Sequence, residues 1–89
     1  MKGIITVLGK DKVGIIAAVC TYLAEHNVNI LDISQTIIQG YFNMMMIVDI
    51  TKPTHAFETL VEELQALGVS IGVEIKLQHE DIFNIMHRI

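Results

Sequence analysis

Two rhythms of hydrophobic residues alternate along this chain: short runs or period-two patterns that suit strands, and i, i+3, i+4 steps that suit helices. Ile4-Ile5-Thr6-Val7-Leu8 is β-branched, too short for a helix and without a polar face, so Lys2 to Leu8 is expected as a central strand. Ile16, Val19, Cys20 and Leu23 then recur at helical spacing and predict a helix from about Gly14 to His26, with Asn27 in the left-handed position that ends it. Between the two lies Gly9-Lys10-Asp11-Lys12-Val13-Gly14, a strand-to-helix loop in which two glycines bracket three charged residues. Such a loop turns tightly and leaves the first helical amides open to an anionic group.

Asn29 to Gln39 mixes Ile30, Ile33, Ile37 and Ile38 with Asp32, Ser34, Gln35 and Thr36, the uneven pattern of an edge strand. Gly40 marks a turn into Tyr41 to Thr51, close enough to form an antiparallel hairpin. On that third strand Phe42, Met44, Met46, Val48 and Ile50 share a core face, while Asn43, Met45, Ile47 and Asp49 share a face that is only half polar. Lys52-Pro53-Thr54 interrupts the strand, and Thr54 is expected to cap the next helix. Phe57, Leu60, Val61, Leu64 and Leu67 step along one face of that helix until Gly68 is expected to end it. Val69, Ile71, Val73, Ile75 and Leu77 alternate with polar partners as a fourth strand. Glu80 to Ile89 carries Ile82, Ile85, Met86 and Ile89 on one stripe and reads as a short amphipathic tail helix.

The order β-α-β-β-α-β plus a tail describes one α+β domain over residues 1–89, with its core in 2–78 and the tail helix at about 80–89. Two right-handed crossovers interleave into a four-stranded antiparallel sheet with both helices on one face, a ferredoxin-like arrangement whose second and fourth strands form the edges.

Composition narrows the function more than the fold. With 89 residues there is no room for a second domain. A mean hydropathy of +0.50 is high for so small a globule and points to a covered subunit interface. The net charge of -4, with six scattered basic residues, excludes a phosphate-tracking nucleic-acid binder. A single cysteine, Cys20, excludes a disulfide framework and fits a reducing compartment; on the apolar face of a helix it reads as a small hydrophobe. No leader and no apolar run of membrane-spanning length is present, so a cytoplasmic protein without membrane contact is expected.

The loop can be tested against chemistries that use it. Gly9 and Gly14 have the G-x-x-x-x-G spacing, but Ile15 and Ile16 stand where a nucleotide loop needs Lys and Ser or Thr. An acyl-phosphate hydrolase needs an arginine there, and the only one is Arg88. A metal carrier of this topology needs a C-x-x-C pair, and an RNA-binding sheet needs exposed aromatics on both central strands. The histidines at 26, 55, 79 and 87 never fall at i, i+4, so no helical zinc pair, metal cluster or cofactor is expected. No nucleophile with a base and an orienting group is recognisable, which argues against an enzyme. What remains is a set of backbone donors and charged side chains, with Asp11 and Asn29 expected to face one small pocket because the end of the first strand and the start of the second are expected to lie together. That mixture suits a zwitterion such as an amino acid.

These same residues resemble a known family. Asp11-Lys12-Val13-Gly14-Ile15 is similar to the D-x-x-G-[IL] signature of ACT domains, and Val28-Asn29-Ile30 to their V-N-I strand entry; the resemblance runs from Lys2 to about Gln78. Gly9 to Ile15, Asp32 to Thr36 and Tyr41 to Met45 look like small proteins made of a single ACT domain, which are also similar to ACT regulators of glycine-cleavage gene expression. The resemblance implies a non-catalytic regulatory domain that binds a small ligand, often an amino acid, between two copies. It places the ligand-binding positions at Lys10, Asp11, Lys12, Val13, Gly14 and Asn29. Many ACT loops have Pro where Val13 stands, and well-described serine binders have Asn where Asp11 stands. With no attached enzyme or DNA-binding domain, output is expected to pass through a protein partner. A domain that only dimerises or docks, with nothing in the loop, is the competing reading. The homodimer itself is expected from three apolar surpluses: the second strand's edge, Met45 and Ile47, and the tail stripe.

Overall fold

The computed structural model describes residues 1–82. Six elements follow one another: β1 (Lys2–Lys10), α1 (Ile15–Glu25), β2 (Asn29–Ile38), β3 (Tyr41–Asp49), α2 (Phe57–Ile71) and β4 (Val73–His79). The strands form one antiparallel sheet in the order β2-β3-β1-β4, so the apolar first strand is central and β2 and β4 are the edges, as their patterns require.

Register explains why the core is where it is. Ile5 lies opposite Met46 on one side and Leu77 on the other, and Val7 opposite Met44 and Ile75, so these six side chains share one face of the sheet. Ile15, Val19 and Leu23 of α1 and Leu60 and Leu64 of α2 close over that face, and all belong to one buried cluster. Each large apolar side chain so buried contributes about 1.5–3 kcal/mol before chain entropy is subtracted. Cys20 is half-buried against the same cluster. The three consecutive methionines divide as alternation demands: Met44 and Met46 are sealed in the core, and Met45 is exposed on the other face.

Four features differ from what the sequence pattern predicts, and each has a physical cause. β1 continues through Gly9 to Lys10, because Gly9 pairs with Phe42 and Val73 on either side; a Cβ on Gly9 would come within 2.8 Å of Val73 Cγ1. Its glycine thus serves packing, and the loop shrinks to residues 11–14.

The second difference is larger. α2 does not stop at Gly68 but runs on to Ile71, ending at Gly72 with φ of 79°. Gly68 is where the helix presses on β4: a Cβ there would lie 2.6 Å from the Val73 carbonyl oxygen. Val69 is left 79% exposed, so its apolar character is not used, and the strand begins only at Val73. Alternation through Val69 and Ile71 is outweighed by the helix's own hydrogen bonds.

Thr54, third, does not cap α2: Ala56 holds the N-cap position without a side-chain bond, and the Thr54 amide instead donates to the His26 carbonyl at 3.0 Å. Lastly, β2 is an edge with a built-in irregularity. Its register with β3 shifts between Ile30 and Asp32, and the Asp32 carboxylate accepts the Ile33 amide at 2.8 Å. That blunts the first half of the edge and leaves the second half regular. Glu80–Ile82 is helical, as expected; the remainder of the tail stripe lies outside the described residues.

Candidate functional site

The loop at 11–14 is held by backbone geometry rather than by side chains. Gly14 sits at φ 94°, in the left-handed region where a side chain is strained, and this turns the chain from β1 into α1. α1 has no side-chain cap and no acidic residue in its first turn, so its opening amides are left to solvent or to a ligand. The Asp11 amide donates to the Gly40 carbonyl at 2.8 Å, fastening the loop to the β2–β3 hairpin. That hairpin turns through Gln39 (φ 51°) and Gly40 (φ 82°), two left-handed residues in succession, the arrangement whose twist matches paired strands.

Each loop side chain has its own placement. Lys10 is exposed and pairs across the sheet with Tyr41. Asp11 is exposed. Lys12 extends its ammonium over Gly72, at the carbonyl end of α2, where a cation is favoured by the helix dipole. Val13 is fully exposed, and open space surrounds Gly14.

Asn29 is elsewhere. β1 and β2 are both antiparallel to β3, so they run in the same direction, and the end of β1 meets the end of β2 rather than its start. Asn29 faces Asp49 at the opposite end of the sheet, about 30 Å from the loop at the usual strand rise. The shared pocket expected within one chain is therefore not formed: five of the six positions lie together and Asn29 lies apart. Asn29 lines a shallow polar depression with Asn27, Asp49, Thr51 and Lys52. There the hydroxyl and amide of Thr51 bond the Asp49 carboxylate and hold it below the usual carboxylate range, helped by the nearby terminal ammonium of Met1 and by Lys2.

The fold also gathers residues that linear spacing does not connect. His26 at the end of α1, His55 ahead of α2 and Glu63 on α2 bring a nitrogen, a nitrogen and a carboxylate oxygen within 4.8 Å of one another. Helical i, i+4 spacing finds only pairs on one helix, and these three come from separate segments. Among the described residues no helix is long and apolar enough to cross a membrane.

Residues 3–78, which hold the loop and all but the outer ends of this sheet, match the ACT domain. The chain belongs to the ACT domain family. Members are typically regulatory and ligand-binding, and generally non-catalytic. This ACT domain is 64% identical to a UPF0237 protein of Bifidobacterium longum over 99% of its own length and 98% of the relative's. Among solved structures, an ACT domain protein from Streptococcus pneumoniae superposes with a TM-score of 0.82 at 46% identity, covering 93% of each chain. A protein assigned as a glycine cleavage system transcriptional repressor shares the ACT fold, with a TM-score of 0.73 at 24% identity over 86% of this chain and 44% of that one.

Proposed function

We propose that this ACT domain is a non-catalytic regulatory module that binds a small zwitterionic ligand, such as an amino acid, between two copies of the chain, and passes the signal to a protein partner. The observation that carries the reading is the separation of Asp11 from Asn29. Antiparallel pairing of β2 with β2 of a second copy runs the two strands in opposite directions. The Asn29 end of one copy then lies beside the Ile38 end of the other, which its own Asp11–Gly40 bond joins to the loop. Two equivalent sites result from one two-fold axis.

The edge is suited to such pairing. On its regular half Ile37 and Ile38 are 52% and 62% exposed, and no Lys or Pro interrupts the strand. In each site the α1 amides and the lysine ammoniums would take the ligand carboxylate, while Asp11 would take its ammonium.

Complementation tests the arrangement. Asp11→Ala and Asn29→Ala should each abolish the thermal shift that an active amino acid produces, and ligand at about 100 Kd should add roughly 2.7 kcal/mol in wild type. Mixing the two variants by co-refolding should restore one intact site per mixed dimer, since one chain supplies Asp11 and the other Asn29. Random pairing makes half of the dimers mixed, so recovery of about a quarter of the wild-type binding capacity supports the shared site. Two inactive variants that stay inactive when mixed would remove it, and a flat response of wild type to every amino acid, with the dimer intact, would favour a purely structural domain.

A further inference from the structure

We propose that His26, His55 and Glu63 form a binding site for a single divalent transition-metal ion of the zinc class, at the end of the domain opposite the glycine loop. These three residues are separate from the loop and from Asn29, whatever either binds.

The geometry of the donors is the first support. His26 Nε2 lies 3.5 Å from Glu63 Oε1, and His55 Nε2 lies 3.9 Å from Glu63 Oε2. A tetrahedral ion with bonds of about 2.0–2.1 Å holds its donors roughly 3.3 Å apart. Small side-chain rotations therefore bring all three onto one ion. Two imidazoles and one carboxylate are borderline donors that suit zinc, cobalt or nickel better than calcium or magnesium.

Proton positions are the second. His26 Nδ1 is 2.8 Å from the Tyr22 carbonyl oxygen, which can only accept, so Nδ1 carries the hydrogen and the neutral ring presents its Nε2 lone pair to the cluster. His55 Nδ1 lies 3.0 Å from the Thr54 hydroxyl, a group able to accept its hydrogen, and the contact keeps Nε2 facing the cluster. An outer hydrogen bond on the far nitrogen is how metal-bound histidines are oriented. Glu63 is oriented too, since the Tyr22 hydroxyl donates to its Oε1 at 2.7 Å.

The scaffold holds these groups independently of any ion. The Thr54 amide bonds the His26 carbonyl at 3.0 Å, and Asn27 Nδ2 bonds the Lys52 carbonyl at 2.6 Å, so the segment bearing His55 is sewn to the end of α1. The Tyr22 ring stacks on His26 with centroids 4.0 Å apart, and His55 meets His26 edge-on at 4.7 Å. The His26 side chain is 18% exposed, but those of His55 and Glu63 are 40% and 41% exposed, which opens one side of the site to solvent, to an entering ion and to the water completing its coordination.

Cobalt(II) reports this directly. The full chain, untagged and stripped with chelator, is titrated with Co²⁺ while visible d–d absorption is followed, and Zn²⁺ is then added in competition. One Co²⁺ per chain, bleached by Zn²⁺, is expected. His55→Ala and Glu63→Gln should each weaken it by about tenfold or more, while Glu62→Gln on the same helix leaves it within about twofold. His55 is exposed, so its variant keeps the fold, checked by circular dichroism. No saturable signal up to about 1 mM Co²⁺, or equal affinity in His55→Ala and wild type, overturns the site.

Discussion

A Cβ placed on Gly68 would sit 2.6 Å from the carbonyl oxygen of Val73. Helix α2 and strand β4 are thus in contact through backbone, and residue 68 is a glycine because nothing larger fits. Gly68→Ala must push the helix outward by most of an ångström, and is expected to cost about 1–3 kcal/mol, the usual range for overpacking. Urea unfolding checks it; a loss under about 0.5 kcal/mol would mean that the helix moves freely on the sheet.

Gly14 is the opposite case, with a left-handed backbone that only a side chain would strain, and empty space around it. Gly14→Ala should cost about 1 kcal/mol from the left-handed φ alone, and Gly14→Asn less, since Asn tolerates that region. Equal melting temperatures for the three proteins would contradict the conformation.

Leu64 is fully buried between α2 and the sheet. Truncation to alanine removes its contacts and leaves a cavity, so Leu64→Ala is expected to lose about 2–5 kcal/mol in equilibrium unfolding, whereas Val69→Ala, on the same helix but exposed, should lie within about 0.5 kcal/mol of wild type. The reverse ranking would return residue 69 to the core.

Asp49 supplies a pH dependence with a definite sign. Thr51 stabilises its carboxylate, so its folded pKa is below the unfolded value of about 3.9. The contribution is complete above that value and is lost as pH falls through the folded pKa. Thermal stability of wild type should therefore decline more steeply below about pH 4 than that of Asp49→Asn. Parallel melting curves for the two proteins across that window would rule the interaction out as a source of stability.

On β2, Ile37 is half exposed on the regular part of the edge. Ile37→Lys places a charge where a second strand would pair, and light scattering is expected to show monomer with little change in melting temperature. A dimer that persists would locate the seam on another face.

How far the sequence could be read depended on which force decided each segment. Burial decided β1, β3 and the faces of both helices, and burial is written into periodicity, so Ile5, Val7, Met44 and Met46 were legible in advance. Close backbone contact decided Gly9 and Gly68, and a glycine that makes room is spelled like a glycine that turns; both were therefore expected in turns and found within elements. Val69 and Ile71 read as strand because alternation takes no account of the helix bonds that hold them. At the site, the loop was legible from its own residues, because it is local. The position of Asn29 was not, since strand direction is a property of the whole sheet. The His26, His55 and Glu63 grouping had no linear signal, being assembled by contacts between the end of α1, the segment before α2 and α2 itself.

The loop at 11–14 is also a mechanical element. Its first amide is tied to the β2–β3 hairpin at Gly40, and its lysine rests on the last turn of α2 at Gly72. Four residues thus bridge the tip of one edge hairpin and the tail of the helix that packs on the other edge strand. With the two ties on adjacent residues, and Gly14 turning the chain into α1 just beyond them, the segment has little slack. A molecule that draws in Asp11 or Lys12 must pull on the hairpin, on the helix end, or on both, so occupancy of a few exposed backbone amides becomes tension across the full width of the sheet.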